Sequence, residues 1–255
     1  MSKLEALLWD VDGTLADTER DGHRVAFNSA FSQAGLDWHW DVALYGELLK
    51  VTGGKERIRY YLERFNTDWD RPADLDSFIA ELHRQKSAFF VSLMADGRIP
   101  PRSGVIRLVK EAADAGLRLA IATTTTPANV DALLGRYFGS AEKHPFEVIA
   151  AGDVVPAKKP APDIYLWALE KMDLQPEACV AIEDSHNGLM AAMSAGIRTV
   201  VITVNRYTAN EDFTGASLIV DQLGDRENPA HAVTGELNGV AMVDVGLLRR
   251  LHAVS

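Results

Sequence analysis

The chain has 255 residues, 47% of them hydrophobic and 24% charged, the balance of a folded globular protein long enough for one large or two modest domains. Its 26 basic and 36 acidic residues leave a net charge of −10, which argues against a nucleic-acid partner and its basic stripe but not against an anionic substrate held by local cations. No apolar run approaches the roughly 20 residues that span a bilayer, so no membrane partner is expected, and a single cysteine, Cys179, excludes an internal disulfide and suits the cytoplasm.

Met1-Ser2-Lys3-Leu4-Glu5 enters the apolar run Ala6-Leu7-Leu8-Trp9 directly, which predicts a strand and no signal peptide. The run ends in Asp10-Val11-Asp12-Gly13-Thr14, placing two carboxylates where a buried strand leaves the core. Paired acids there can hold a divalent cation and divide nucleophile and acid–base duties. An acidic turn after an edge strand is the blander alternative. From residue 15 to about 94 the strand signals vanish, and helices are expected at 19–34, 42–49, 55–65 and 75–90. The Gly- and Pro-rich stretch 95–104 reads as an irregular linker. This pattern predicts an all-helical cap domain at 16–95, tethered at 15–17 and 96–101, inserted into a core of 1–15 and 96–255. A helical layer packed permanently on the sheet is the alternative.

Beyond the linker, strands at 117–122, 147–151, 179–182, 199–204 and 218–220 alternate with helices at 105–115, 128–137, 164–172 and 188–195. Such alternation predicts an α/β fold with a doubly wound parallel sheet. Gly116 and Gly196 stand just past two of the helices, where a left-handed cap suits glycine. Cys179 opens an apolar strand and is read as core. The stretch 221–239 is loop-rich and suggests no function.

Three strand-like runs and one turn end in chemistry. After Asp10 and Asp12 come Thr123-Thr124-Thr125-Thr126, then Lys158-Lys159-Pro160, then Glu183-Asp184-Ser185. Ligands of open α/β sheets bind beyond the carboxyl ends of the strands, so these residues can converge. Hydroxyl, ammonium and metal-binding carboxylates are the groups that hold and transfer a phosphoryl group.

In these four motifs, taken in order, the sequence resembles the haloacid dehalogenase superfamily, specifically its small-cap phosphatases and phosphomutases with a Rossmann-like core. Within it, the stretches 35–41, 52–58 and 122–126 are similar to the CbbY-type sugar-bisphosphate phosphatases. The resemblance implies that Asp10 is the nucleophile and forms an aspartyl phosphate. Magnesium is the implied cofactor, with Asp10, the backbone carbonyl of Asp12, and Asp184 as ligands. Glu183 either ligates through water or orients the site. For Glu183-Asp184 the plain alternative is an acidic helix start capped by Asp184 or Ser185. Asp12 is the implied general acid–base, Thr123 a hydrogen-bond donor to the phosphoryl group, and Lys159, favoured over Lys158, its counter-charge.

Specificity is expected in the cap. The turn 52–57 leads into a helix, so Gly54, Lys55 and Arg57 are candidates for binding a second anionic group, against the alternative of a solvated helix start. Glu19, His23 and Tyr45 match substrate-contact positions of the CbbY-type subgroup. Trp38 and Trp40 either wall the pocket or, more safely, form the cap core. The implied activity is a phosphatase acting on a small phosphorylated sugar, with xylulose-1,5-bisphosphate suggested by the subgroup. The alternative is an isomerase, a phosphomutase of the β-phosphoglucomutase type; Thr14 is typical of the phosphatases and tilts against it. A dehalogenase is disfavoured because Asp12 would have no leaving alcohol to protonate. A monomer is expected.

Overall fold

The computed structural model describes residues 3–51, 53–139, 143–237 and 239–255. Thr52, part of the 52–57 turn, lies outside the described residues. The chain divides into two compact units: Thr18–Ile99, and Met1–Asp17 together with Pro100–Ser255. The helical unit contributes α1 (Arg24–Gln33), α2 (Val42–Leu48), α3 (Gly54–Arg64) and α4 (Leu75–Ala95). The other unit contributes the strands β1 (Ala6–Trp9), β2 (Arg118–Thr123), β3 (Phe146–Ala151), β4 (Cys179–Glu183), β5 (Thr199–Thr203), β6 (Leu218–Val220) and β7 (Ala232–Thr234). Its helices are α5 (Val105–Asp114), α6 (Pro127–Tyr137), α7 (Asp163–Met172), α8 (His186–Ser194) and α9 (Val245–Val254).

The strands lie in the order β3-β2-β1-β4-β5-β6-β7, parallel except for β7. Parallel strands covered on both faces read as continuous apolar runs, and every residue of β1, β4 and β5 is buried. Alternation then assigns the faces. Ala6, Leu8, Ala120, Ala122, Ala181 and Ile202 share one buried cluster with Ile164, Tyr165 and Ala168 of α7 and Leu189 and Ala192 of α8. On β2 and β4, α5 and α9 make further packing contacts. The chain leaves β1 for β2 on one side and returns through β4 on the other, so the strand order reverses at β1. That is the switch point at which open α/β sheets bind ligands.

The helical unit begins with a π-helical turn, Thr18–His23, that runs into α1, where a plain α-helix over 19–34 was expected. Asp41 and Asp74 cap α2 and α4 by accepting from the N–H groups of Leu44 and Ser77, at 2.8 and 3.0 Å. Its core is aromatic: Phe31 packs edge-on against Trp38 and Trp40, with ring centroids 5.3 and 4.8 Å apart, and Trp40 meets Tyr61 at 5.4 Å. Both tryptophans are buried here, as the core reading expects.

Several bounds differ from the sequence reading. The units meet at 17/18 and 99/100 rather than 15/16 and 95/96, because Ala16 forms isolated bridges with Asp12 and Pro101 and so joins the sheet-bearing unit. Helix α4 runs five residues past 90 to Ala95. The loop-rich stretch contains β7, an exposed edge strand, and α9 follows it.

Candidate active site

Asp10 directly follows β1, and its N–H donates to the Ile182 carbonyl at 3.0 Å, which ties the end of β1 to the end of β4. Thr123 closes β2 and Glu183 closes β4, with Asp184 next in the chain. All four are buried. Lys159, in the turn before α7, sends its ammonium into this cluster. Its Nζ donates to Asp10 Oδ1 at 2.7 Å, Glu183 Oε1 at 2.6 Å and the Ala122 carbonyl at 2.8 Å. Lys158, its rival in the sequence, instead pairs with the exposed Asp153 at 3.1 Å. Asp12 is half-buried in the loop after β1. The Thr123 hydroxyl accepts from the Thr125 N–H at 3.3 Å, and Thr125 Oγ1 accepts from Asn129 Nδ2 at 3.0 Å.

Carboxylate oxygens of Asp10, Glu183 and Asp184 all lie within 4.8 Å of one another. Burial pushes the Asp10 carboxyl up to about 7; Lys159 opposes the rise while Glu183 and Asp12 add to it. Burial also drives Asp184 well above the carboxylate range, reinforced by Asp10 and Glu183. Burial alone would depress Lys159, but Asp10 and Glu183 more than reverse it, so the lysine stays charged. One ammonium therefore does not suffice to keep three buried carboxyls ionised, and their full ionisation calls for further positive charge. An all-oxygen set of carboxyl donors fits a hard divalent cation, which supplies that charge.

Residues that the sequence reading missed hold this arrangement. The Tyr165 hydroxyl of α7 donates to Glu183 Oε1 at 2.6 Å, and the Lys159 ammonium lies 5.2 Å from the Tyr165 ring centroid. Asn205, in the loop after β5, donates from Nδ2 to Asp184 Oδ2 at 2.6 Å. Arg102 ties the loops after β1 and β5 together, donating to the carbonyls of Gly13, Thr203 (2.8 Å) and Val204 (2.6 Å). At Gly188 in the first turn of α8, a Cβ would overlap the Glu183 carboxylate, so only glycine leaves that acid its place. Signals existed for two of these. Asn205 lies two residues past the carboxyl end of β5, close to the position that Asp10 and Asp184 hold after β1 and β4. Tyr165 is a polar-tipped ring on an apolar helix face, where a buried hydroxyl demands a partner.

Within the helical unit, three of the expected substrate residues form one network. Tyr45 Oη donates to Glu19 Oε2 at 2.5 Å, and Arg57 Nη1 donates to Tyr45 Oη at 2.8 Å while lying 3.8 Å from Glu19. Arg57 is therefore buried and committed to protein partners rather than displayed on a solvated helix start. His23 stacks on Phe90 at 4.0 Å, and its Nδ1 lies 2.8 Å from Nζ of the buried Lys86. Lys86 falls at helical spacing with Leu82 and Phe90 on the apolar face of α4, a placement readable as a buried cation. Lys55 is exposed in the first turn of α3. Gly54 makes room for His83, whose ring would lie 2.5 Å from an added Cβ, and the Glu56 carboxylate folds back against Gly53. The helix start thus already faces one anionic group of its own.

A family model described as haloacid dehalogenase-like hydrolase matches residues 4–196. "Protein CbbY, plasmid" of Cupriavidus necator is 46% identical over 251 residues, covering 98% of this chain and 97% of that protein. The crystal structure of CbbY from Rhodobacter sphaeroides in complex with phosphate matches with a TM-score of 0.76 at 50% identity, over 86% of this chain and 94% of that one. A mutant of the same protein, in complex with xylulose-(1,5)bisphosphate, matches with the same TM-score, identity and coverage.

Proposed function

The chain belongs to the haloacid dehalogenase-like hydrolases, and from that premise we propose that it is a magnesium-dependent phosphatase of a small sugar phosphate or bisphosphate, with xylulose-1,5-bisphosphate the favoured substrate. The observation that carries this reading is the convergence of Lys159 Nζ on Asp10 Oδ1 and Glu183 Oε1, at 2.7 and 2.6 Å, beside the Asp184 carboxylate. The bisphosphate complex of a 50% identical CbbY supports this choice of substrate.

Asp10 attacks phosphorus, and the bond from phosphorus to the sugar oxygen breaks to leave an aspartyl phosphate. Asp12 protonates that leaving oxygen, then takes the proton of the water that attacks the aspartyl phosphate and releases orthophosphate. Lys159 offsets the negative charge shared by Asp10 and the transferring group, and the Thr123 hydroxyl hydrogen-bonds a phosphoryl oxygen. Asp10, the Asp12 carbonyl and Asp184 would hold magnesium, with Glu183 supporting them, and the ion would neutralise the repulsion between carboxylate and phosphate dianion. Glu19, His23, Tyr45, Gly54, Lys55 and Arg57 serve recognition, Arg57 through its hold on Tyr45 and Glu19, with Lys55 taking the second phosphate.

Incubation with magnesium and xylulose-1,5-bisphosphate, followed for both orthophosphate and isomerised sugar phosphate, tests the reading. One orthophosphate per substrate consumed is expected. Asp10→Asn should lower kcat by at least about 10⁴-fold, since an amide is a poor nucleophile. Isomer without orthophosphate would replace the phosphatase with a phosphomutase, and an active Asp10→Asn would remove the aspartyl phosphate altogether.

A further inference from the structure

We propose that Asn205 is a positioning residue for the cation: its amide clamps the Asp184 carboxylate in the orientation that a small octahedral ion requires. The inference rests on the magnesium reading of the Asp10–Glu183–Asp184 cluster. It starts from the direction of the amide, which its surroundings determine. The Tyr207 N–H donates to Asn205 Oδ1 at 2.8 Å, so the oxygen end is occupied and the NH₂ end faces Asp184 Oδ2 at 2.6 Å.

The loop itself is held in place. The Asn205 N–H donates to Thr208 Oγ1 at 3.1 Å, and its carbonyl accepts from the Ala209 N–H at 3.0 Å. Gly13 completes the clamp from the other side. Its φ of +88° suits glycine, and a Cβ there would run into Asp184 Oδ2 and lie 2.7 Å from Asn205 Nδ2. Asp184 Oδ2 is thus enclosed by the Gly13 backbone and a neutral donor. Its Oδ1 carries no hydrogen bond among the described residues and is the oxygen left for an ion.

The donor's neutrality matters. A lysine or arginine at this place would satisfy Asp184 and also cancel the charge that attracts a cation, whereas an amide orients the carboxylate and leaves its charge intact. Magnesium demands near-ideal octahedral geometry, while calcium accepts a looser shell. Loss of the clamp should therefore penalise magnesium more than calcium, since partners behind the ligands typically change metal affinity 10- to 100-fold.

Calorimetric titration of the full-length protein with magnesium alone and with calcium alone, no substrate present, measures this. Asn205→Ala should raise the magnesium Kd about tenfold and the calcium Kd less than about threefold. Asn205→Asp keeps the Oδ1 acceptor for Tyr207 and the shape of the loop, so it serves if the alanine variant does not fold; its preference for magnesium over calcium should fall as well. An unchanged magnesium Kd, or equal losses for both ions, would overturn the clamp while leaving the magnesium reading in place. A wild-type protein that binds neither ion would overturn both.

Discussion

Glu183 Oε1 is the most crowded atom of the site, accepting from Lys159 Nζ and from Tyr165 Oη, each at 2.6 Å. A buried carboxylate costs several kcal/mol unless it is paired and hydrogen-bonded. The tyrosine hydroxyl therefore does more than fill space beneath α7: it shares Glu183 with Lys159 and leaves the lysine able to serve Asp10 too. Tyr165→Phe keeps the ring beside the ammonium but removes the donor. A hydrogen bond to a charged group is worth about 1.5–3 kcal/mol, so the variant should lose about that much unfolding free energy and unfold at lower denaturant. Lys159 should also be drawn towards Glu183 and away from Asp10, lowering kcat with little change in KM. Chemical denaturation and steady-state kinetics check the two effects; a variant with wild-type stability would mean that the hydroxyl merely occupies its place. Cys179, at the other end of β4, marks the contrast. Burial pushes its thiol up to about 12, and it packs as an inert core residue, as the sequence suggests.

Among the elements, α4 carries an electrostatic oddity of its own. Burial pushes His83 down to about 4, helped by Lys86, Lys55 and His23 and opposed by Glu56. Between pH 6.5 and about 4 the unfolded chain binds a proton that the folded helix refuses, so this contribution to stability is present above pH 6.5 and lost on acidification. Unfolding midpoints should fall across that window, and His83→Gln should remove about one proton from the dependence. A ring that titrates near 6.5 by NMR would contradict this. The legibility of the fold divides along the same lines. Strands β1, β2 and β4 were readable because two-sided burial writes itself as an apolar run, and the strand-end rule then located Asp10, Thr123 and Glu183. The turn Thr18–His23 was not, because π and α winding share one composition. Strand β7 escaped because an exposed edge of three residues has no apolar alternation. Tyr165 and Asn205 carried local signals, but their partners lie 18 and 21 residues away, and Arg102, with partners up to 119 residues away, carried none.

The whole molecule carries −10 at neutral pH, so its long-range field repels a phosphorylated substrate. That field is screened beyond about 8 Å at physiological ionic strength, and capture must depend on cations close to each phosphate. In the sheet-bearing unit Lys159 is already matched by Asp10 and Glu183, so under the proposed function the reacting phosphate calls for a divalent cation as well. In the helical unit Arg57 is spent on Tyr45 and Glu19, whereas Lys55 is exposed in the first turn of α3. Under the proposed function, chemistry and recognition of a second phosphate would therefore rest on different residues. Lys55→Ala should raise KM for a sugar bisphosphate about ten- to a hundredfold, the worth of a charge-assisted contact of about 1.5–3 kcal/mol. Hydrolysis of a small aryl phosphate, which has no second anion, should keep its kcat/KM. Arg57→Ala should behave differently, because it leaves Glu19 and Tyr45 without their buried partner: both substrates should suffer, and the helical unit should lose stability. Parallel kinetics on the two substrates, with thermal unfolding of each variant, separate the cases. If Lys55→Ala impairs both substrates equally, Lys55 supports the fold of α3 rather than the bisphosphate, and the second phosphate must be bound by other groups.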